Sequence, residues 1–355
     1  MRNFYILVIA AAVFAGPASA RADPAPTLQT ILDGARQEGQ LSIVVGEGTL
    51  GDNSVLIAAF NKYYGLDLDV RFTPGPPMPN MVATVIQQYE AHKPAATDVI
   101  LGYPNHMVDL SNAHAIQKAD WESWAPNLKG PHLVSSEGEA VPLENSLPGI
   151  VYNTNALHGA EVPNKLADFL NPKLKGRVAT TPYASSFDLL ATADMWGREK
   201  AFDFTRKLSD QIGGLIRCNE MARIASGEFE AFGISCNQHD ALANAAKGAP
   251  VGFVLASDAP LTTLLYEAVP ATAAHPNAAK LWINFMSSPE GQKLLYQATF
   301  ADLSFVPGSQ TAKSIDAVER KGAKVLVIDT DFYRHHDAAA MDRDLAELQK
   351  ILRTR

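Results

Sequence analysis

Residues 41–72 read LSIVVGEGTLGDNSVLIAAFNKYYGLDLDVRF, and this stretch decides the fold. Leu41 to Val45 is a short apolar run with the character of a buried strand. Val55, Leu56, Ile57 and Phe60 give residues 55–64 a helical apolar face, and Gly65 is placed to end that helix as a C-cap. Leu68 to Phe72 alternates and predicts a second strand. Working outward, residues 81–92 predict a helix stopped near Pro94, and Asp98 to Leu101 a third strand. Strand, helix, strand, helix, strand predicts a parallel sheet covered by helices. Ligands of such sheets sit beyond the carboxyl ends of the strands, so the loops 46–51, 73–79 and 102–106 are candidate ligand loops.

The first of these loops, Gly46-Glu47-Gly48-Thr49-Leu50-Gly51, matches GxGxxG between a strand and a helix. A dinucleotide site also needs an acidic residue at the end of the second strand. Here Asp67 and Asp69 stand at its start, and Arg71 and Phe72 end it. The glycines are read instead as a loop that a ligand or backbone can approach closely.

The first 22 residues have the three-part layout of a secretory leader. Arg2 supplies the positive start, residues 5–14 (YILVIAAAVF) the apolar stretch, and Ala18-Ser19-Ala20 or Ala20-Arg21-Ala22 the cleavage signal. The apolar stretch is shorter than the about 20 residues that span a bilayer. No cysteine follows it to carry a lipid. The expected product starts near Arg21 or Asp23 and works in the periplasm, away from ATP and NAD(P) pools.

The 355 residues suggest two ordinary domains or one large one. Lys and Arg number 30 against 38 Asp and Glu, a net charge of −8, which argues against nucleic acid as a partner. The two cysteines, Cys218 and Cys236, read first as a disulfide in an oxidising compartment. There is no zinc spacing, no GxSxG elbow and no HExxH, so no enzyme and no cofactor is expected. His335-His336 with Asp331 and Asp337 read as surface residues before the last helix, so no metal site is expected there.

A second α/β unit follows the first. Residues 149–152 predict a strand, and residues 177–179 another that leads into Thr180-Thr181-Pro182-Tyr183-Ala184-Ser185-Ser186 and a helix over about 187–196. Asn219 is placed to N-cap a helix over 220–226 that stops at Gly227. Residues 232–235 and 251–255 predict strands, residues 277–286 a helix, and residues 338–352 an amphipathic helix with Met341, Leu345, Leu348 and Leu352 on one face.

Six segments in order resemble the periplasmic solute-binding proteins of ABC importers, in the group that includes ferric-binding, polyamine, phosphonate and thiamine binders. They are Gly34-Ala35-Arg36-Gln37-Glu38-Gly39-Gln40, Ala59-Phe60-Asn61-Lys62-Tyr63-Tyr64-Gly65, Thr97-Asp98-Val99, residues 149–155 (GIVYNTN), residues 171–177 (NPKLKGR), and residues 275–280 (HPNAAK) with residues 285–292 (FMSSPEGQ). No one segment is specific; their order and spacing across the chain are. The resemblance implies two α/β lobes, each a mixed sheet flanked by helices, closing on a ligand by a hinge. It places lobe I at residues 23–148 and 268–312, and lobe II at residues 149–267 and 313–355. It further implies a monomer that delivers a small molecule to a permease in the inner membrane. A periplasmic sensor is the alternative role, and a secreted α/β enzyme a more remote one.

Ferric-binding relatives hold iron with adjacent tyrosines. The matching positions here are Asn237 and Gln238, and Tyr103 stands where an acidic ligand belongs. Amides are poor ligands for a hard cation, so iron is not expected. Tyr63-Tyr64 ends a helix on the wrong side of the sheet. Relatives also bind an anion at a helix start in the second lobe, here Tyr183, Ala184, Ser185 and Ser186, with Asn219 at a second helix start and Arg217 and Arg223 beside it. The expected ligand is therefore a small polar solute with a carboxylate or phosphonate, stacked on Tyr103 or Tyr183. The expected contacts are Gly48, Thr49, Tyr103, Asn145, Tyr183, Ser185, Ser186, Asn219 and Asn237. A cationic solute would call instead on acidic residues, for which Glu47 and Glu144 stand ready.

Overall fold

The computed structural model describes residues 27–46, 50 and 53–354. The expected leader, Glu47, Gly48 and Thr49 lie outside the described residues. The first run of the chain holds α1 (Leu28–Glu38), β1 (Gln40–Val45), α2 (Asn53–Tyr64), β2 (Asp69–Pro74), α3 (Met78–Glu90), β3 (Ile100–Gly102), α4 (Pro104–Asn112), α5 (Trp121–Trp124) and β4 (Ala140–Ser146). The second run holds β5 (Ile150–Asn153), β6 (Val178–Thr180), α6 (Phe187–Ala191), α7 (Arg198–Gln211), β7 (Gly214–Leu215), α8 (Met221–Ala225), β8 (Ala231–Gly233), α9 (His239–Ala246) and β9 (Val251–Val254). The chain finishes with β10 (Leu261–Ala268), α10 (Pro276–Met286), α11 (Pro289–Thr299), α12 (Gln310–Glu319), β11 (Leu326–Ile328), α13 (Thr330–His335) and α14 (Ala338–Arg353).

These elements build two lobes, each around its own mixed sheet. In the first, β10 runs antiparallel to β3 and β4 and parallel to β11. The parallel pair β1 and β2 lies beside β3, tied by Asp98, whose N–H reaches Ser42 O at 2.7 Å and whose carboxylate accepts Ser42 N–H at 2.8 Å. In the second, the order is β7-β6-β8-β5-β9, with β7, β6 and β8 parallel and β5 antiparallel to β8 and β9. The sequence boundary at residue 268 assigns β10 to the second lobe, whereas its hydrogen bonds run along β3 and β4. All but one of its residues are buried, and pairing decides membership where local pattern cannot.

Apolar periodicity accounts for the two cores. The first collects Leu41 and Ile43 from β1, Leu56 and Phe60 from α2, and Trp282 and Phe285 from α10. Phe60 meets Trp282 edge-on at 5.4 Å, a geometry worth about 0.5–1.5 kcal/mol beyond area burial. The second collects Phe169, Phe187, Leu208, Leu348 and Leu352. The expected stripe on α14 holds: Met341, Leu348 and Leu352 are buried and Leu345 is half-buried against α6 and α7. Each buried leucine contributes on the order of 1.5–3 kcal/mol. The helix expected over 187–196 stops at Ala191, because Thr192 turns to extended backbone and Gly197, at φ 78°, opens the separate α7.

The lobes are joined where β4 passes into β5 through residues 147–149 and where β9 returns to β10 through residues 255–260. Gly149 sits in the first crossing with no room for a side chain. A Cβ there would lie 2.6 Å from Phe253 Cζ and 2.7 Å from the carbonyl oxygen of Val254. On the β8 side, Ser235 N–H reaches the Gly149 carbonyl at 2.8 Å.

Candidate functional site

The register of β10 sets one wall of the cleft. Gly102 pairs with Tyr266 on one side of β10, and Glu144 pairs with Leu265 on the other. Tyr103, one residue beyond β3, and Glu144, near the end of β4, therefore flank β10 at the carboxyl edge of the first sheet. Pro104 starts α4 and holds Tyr103 in extended backbone, with Tyr103 N–H on His106 Nδ1 at 3.2 Å. Tyr103 is 37% exposed. Burial of its hydroxyl pushes the pKa up to about 12, and Glu144 and then Asp240 add to the rise while Ser146 opposes it. Glu144 is 6% exposed. Burial raises its pKa to about 8, and Asp302 and Glu267 reinforce that rise.

The opposite wall is the carboxyl edge of β7-β6-β8. Tyr183 follows β6, Cys218 follows β7 and Cys236 follows β8. A disulfide joins Cys218 to Cys236 with their Cα atoms 5.7 Å apart. Tyr183 stands between them. Its hydroxyl accepts Cys218 N–H at 3.0 Å, donates to Cys218 Sγ at 3.0 Å, and lies 3.7 Å from Cys236 Sγ. Beyond β8, Ile234 is forced to φ 46°, an uncommon conformation for a β-branched residue, which turns the chain into the cleft. Asn237 then caps the first turn of α9, with Oδ1 accepting Asp240 N–H at 3.0 Å and Nδ2 donating to Asp240 Oδ2 at 3.2 Å. His239 Nδ1 is buried with no hydrogen-bond partner, and burial lowers the pKa of the ring against the pull of Asp240.

The walls meet at the hinge. Ser146 Oγ donates to the Cys236 carbonyl at 3.2 Å. The fully buried Gln238 amide donates to Asn145 O at 3.2 Å and accepts Leu147 N–H at 2.8 Å. Gln238 thus braces the crossing strand.

The fold brings Tyr103, Tyr183, Asn237 and the disulfide to the edges that face each other. Asn145 lies at the hinge with its amide fully engaged, donating to Thr262 Oγ1 at 3.0 Å and accepting Ser304 N–H at 2.6 Å. Ser185 and Ser186 lie in the loop after β6, where Ala184 and Ser186 both have positive φ. The carboxyl of Asp188 stands in the first turn of α6. Burial lifts that carboxyl to about 6. Asn219 does not cap a helix. It is exposed in a turn, the N-cap position of α8 belongs to Glu220, and the Glu220 carboxylate instead takes Arg217 N–H at 2.5 Å. Arg217 is exposed. Arg223 is bound by both carboxylate oxygens of Glu228 and stacks over Phe229. These local pairings use the groups that the sequence offered to an anion.

Glu144, expected only as an alternative, lies across β10 from Tyr103. Ser146, whose hydroxyl reaches the Cys236 carbonyl across the hinge, had no forewarning in the sequence. The tyrosines at 63 and 64 are far from this wall in function: Tyr64 hydroxyl meets Asn284 Nδ2 at 2.5 Å, and Tyr63 hydroxyl accepts Asn127 Nδ2 at 3.2 Å. His336 pairs with Asp194 at 2.9 Å, and His335 Nδ1 lies 2.7 Å from the Asp331 carbonyl. Among the described residues, no group of three or more His, Cys, Asp or Glu side chains is arranged to hold a metal ion.

Known proteins place this architecture. The substrate-binding protein of an ABC transporter from Agrobacterium tumefaciens superposes with a TM-score of 0.71 at 19% identity, over 90% of this chain and 97% of that one. The periplasmic binding protein AfuA from Actinobacillus pleuropneumoniae, with fructose-6-phosphate bound, gives 0.66 at 19% identity, over 89% and 99%. Iron-bound HitA from Pseudomonas aeruginosa gives 0.62 at 18% identity, over 88% and 98%. At these identities the likeness is one of fold. No curated protein sequence matches the chain. The family model of the bacterial extracellular solute-binding proteins matches residues 97–336, a span that runs from the tie between β1 and β3 through both hinge crossings to the end of α13, and the chain therefore belongs to the bacterial extracellular solute-binding protein family, a family of binders and not of enzymes.

Proposed function

We propose that this chain is the substrate-binding component of an ABC importer, which captures a small polar solute between its lobes in the periplasm and presents it to a membrane permease. One observation carries the reading. The carboxyl edges of two separate sheets face each other across strands that cross between lobes at residues 147–149 and 255–260. Such an arrangement supports hinge closure, in which the bound solute contacts both walls and favours the closed state. The leader read in the sequence supports the periplasmic location, and N-terminal sequencing of the exported protein is expected to begin near Arg21 or Asp23.

The charge of the solute is a finer matter. The anion read from the sequence keeps the loop of Ser185 and Ser186 in its favour. Against it stand the exposed Asn219 and the ion-paired Arg223. The solved relatives do not choose, since one holds a sugar phosphate and another holds iron. A thermal-shift panel of organic acids, phosphonates, sugar phosphates, amines and ferric salts tests the capture reading. Ligand at about a hundred times its dissociation constant stabilises the folded state by roughly 2.7 kcal/mol. A saturable rise in Tm with at least one class is the expected result, and silence across the whole panel would overturn the reading.

A further inference from the structure

We propose that His336 is a proton-operated latch at a third passage between the lobes, and that its protonation restrains the hinge on which solute capture turns. The inference rests on the capture reading above and names a regulation of that hinge.

The passage lies between α13 and α14. α13 packs on α4 and β11 of the first lobe. Arg334 fastens it there, with Nη2 donating to Ser111 Oγ at 2.9 Å and Nε standing 2.6 Å from Glu137 Oε1. Ser136 Oγ adds a bond to Asp331 Oδ1 at 2.5 Å. α14 packs instead on α6 and α7 of the second lobe. Only His336 and Asp337 separate the two helices, and His336 is extended at φ −111° and ψ 151°. The Phe332 ring is buried with the second core, which makes the passage a pivot and not a free tether. Rotation of the lobes about the strand crossings also turns these two residues.

Both ring nitrogens of His336 face groups that only accept. Nδ1 lies 2.7 Å from the Phe332 carbonyl oxygen, and Nε2 lies 2.9 Å from Asp194 Oδ2. A neutral imidazole carries one N–H, so it serves one of these oxygens and turns a lone pair on the other. The imidazolium alone serves both. The ring also lies over Phe332, with centroids 3.9 Å and planes 19° apart, and an aromatic face favours a cation. Phe332 belongs to α13 and Asp194 to the turn between α6 and α7, so the charged ring ties α13 to the second lobe. Its side chain is 22% exposed, which leaves it open to protons from solvent. His335 differs, because its one contact, Nδ1 at 2.7 Å from the Asp331 carbonyl, is met by a neutral ring. The other charged groups on the elements packed here are Asp109 on α4, Asp188 on α6, Arg334 on α13, and Asp337, Asp342 and Arg343 at the start of α14. Arg334 is held by Glu137, and Arg343 lies 3.8 Å from Asp337, so neither arginine takes Asp194 from the ring. Solute closure and protonation act on one hinge, and each therefore shifts the other.

The test measures the lobes directly and needs no solute. Spin labels at K93C in the first lobe and K247C in the second, both exposed positions, report the interlobe distance by double electron–electron resonance. An exposed ion pair shifts an equilibrium by roughly two- to fivefold, so raising the pH from about 5.5 to about 7.5 is expected to lower the ratio of restrained to displaced populations by that factor. H336Q and D194N are each expected to be displaced at both pH values. H336R, which carries a permanent cation, is expected to stay restrained at both. H335Q and D188N are expected to respond as wild type does; D188N is the control for a carboxyl that burial lifts to about 6. Circular dichroism is expected to show the fold retained in every variant. A wild-type distribution that ignores pH, or an H336Q distribution that still follows it, would overturn the latch and leave the capture reading standing. So would a response lost in H335Q or D188N and kept in D194N. Silence of the thermal-shift panel would overturn the capture reading and leave the distance result unaffected.

Discussion

The Tyr183 hydroxyl accepts the backbone N–H of Cys218 and donates to its sulfur, both at 3.0 Å. This contact fastens the end of β6 to the loop after β7, and the disulfide carries the connection on to the end of β8. Three parallel strand ends that form one wall of the cleft are thus held as a unit. Gln349 and Arg353 of α14 add to it by donating to the carbonyls of Tyr183 and Pro182 at 3.0 and 2.7 Å.

Reducing the disulfide should therefore loosen both the fold and the site. The cysteines are 18 residues apart in sequence. Closing a loop of that size contributes about 3 kcal/mol in the chain-entropy model. Thiol titration of the denatured, unreduced protein is expected to find no free thiol, and two after reduction. The C218S/C236S variant is expected to melt at a lower temperature and to bind its solute more weakly. Tyr183→Phe, which removes only the hydroxyl, should cost about 1 kcal/mol. A double variant as stable as wild type would show that the bond does not brace the wall.

Stability should fall as the solution becomes more alkaline through neutrality. Burial raises the pKa values of Glu144 and Glu267 to about 8 from an ordinary 4.5. The native state therefore holds protons that the unfolded chain has released. The stabilisation is fully present below about 4.5 and is lost as pH rises towards the raised value near 8. Asp188, raised to about 6 by burial, adds the same sign at lower pH. Urea titrations from pH 5 to 8.5 are expected to show this decline. Glu267→Gln keeps an oxygen for the indole N–H of Trp282, now 3.0 Å away, and should flatten the slope. An unchanged slope in both Glu144→Gln and Glu267→Gln would refute the assignment.

Gly149→Ala tests the hinge. The new methyl would meet the Phe253 ring, which can turn, and the Val254 carbonyl oxygen at 2.7 Å, which is backbone and cannot turn alone. Overpacking of this kind costs about 1–3 kcal/mol. The expected result is a lower Tm that Phe253→Ala rescues only in part. Full rescue would place the strain in the ring and not in the approach of the two crossing strands.

Two asparagines separate the site read from sequence from the site that the fold builds. Asn219 is exposed and caps nothing, so Asn219→Ala should alter stability by less than about 0.5 kcal/mol and leave solute affinity unchanged. Asn237 accepts Asp240 N–H and holds its carboxylate at the edge of the cleft, so Asn237→Ala should cost about 1 kcal/mol and weaken solute binding. The reverse order of effects on affinity would restore the anion site at α8.

Local pattern determined a good deal of this protein. The strand-helix alternation of residues 41–101, the apolar stripe of α14 and the order of family-like segments are written in nearest-neighbour terms, because periodicity reports which face of an element is buried. The pairing of Cys218 with Cys236 was legible for a simpler reason, since two cysteines allow one intramolecular bond. Only the tertiary structure decided which polar groups remain available. Asn219 and Arg223 looked free in sequence, yet Glu220 takes the cap position of the one and Glu228 pairs with the other, each within five residues. Glu144 and Gln238 had no such local signature. Glu144 owes its burial to the pairing of β4 with β10, and Gln238 meets Asn145 and Leu147 only because the hinge brings the two lobes together. Burial and pairing are properties of distant contacts, and a charge acquires its function from the neighbours that those contacts supply or withhold.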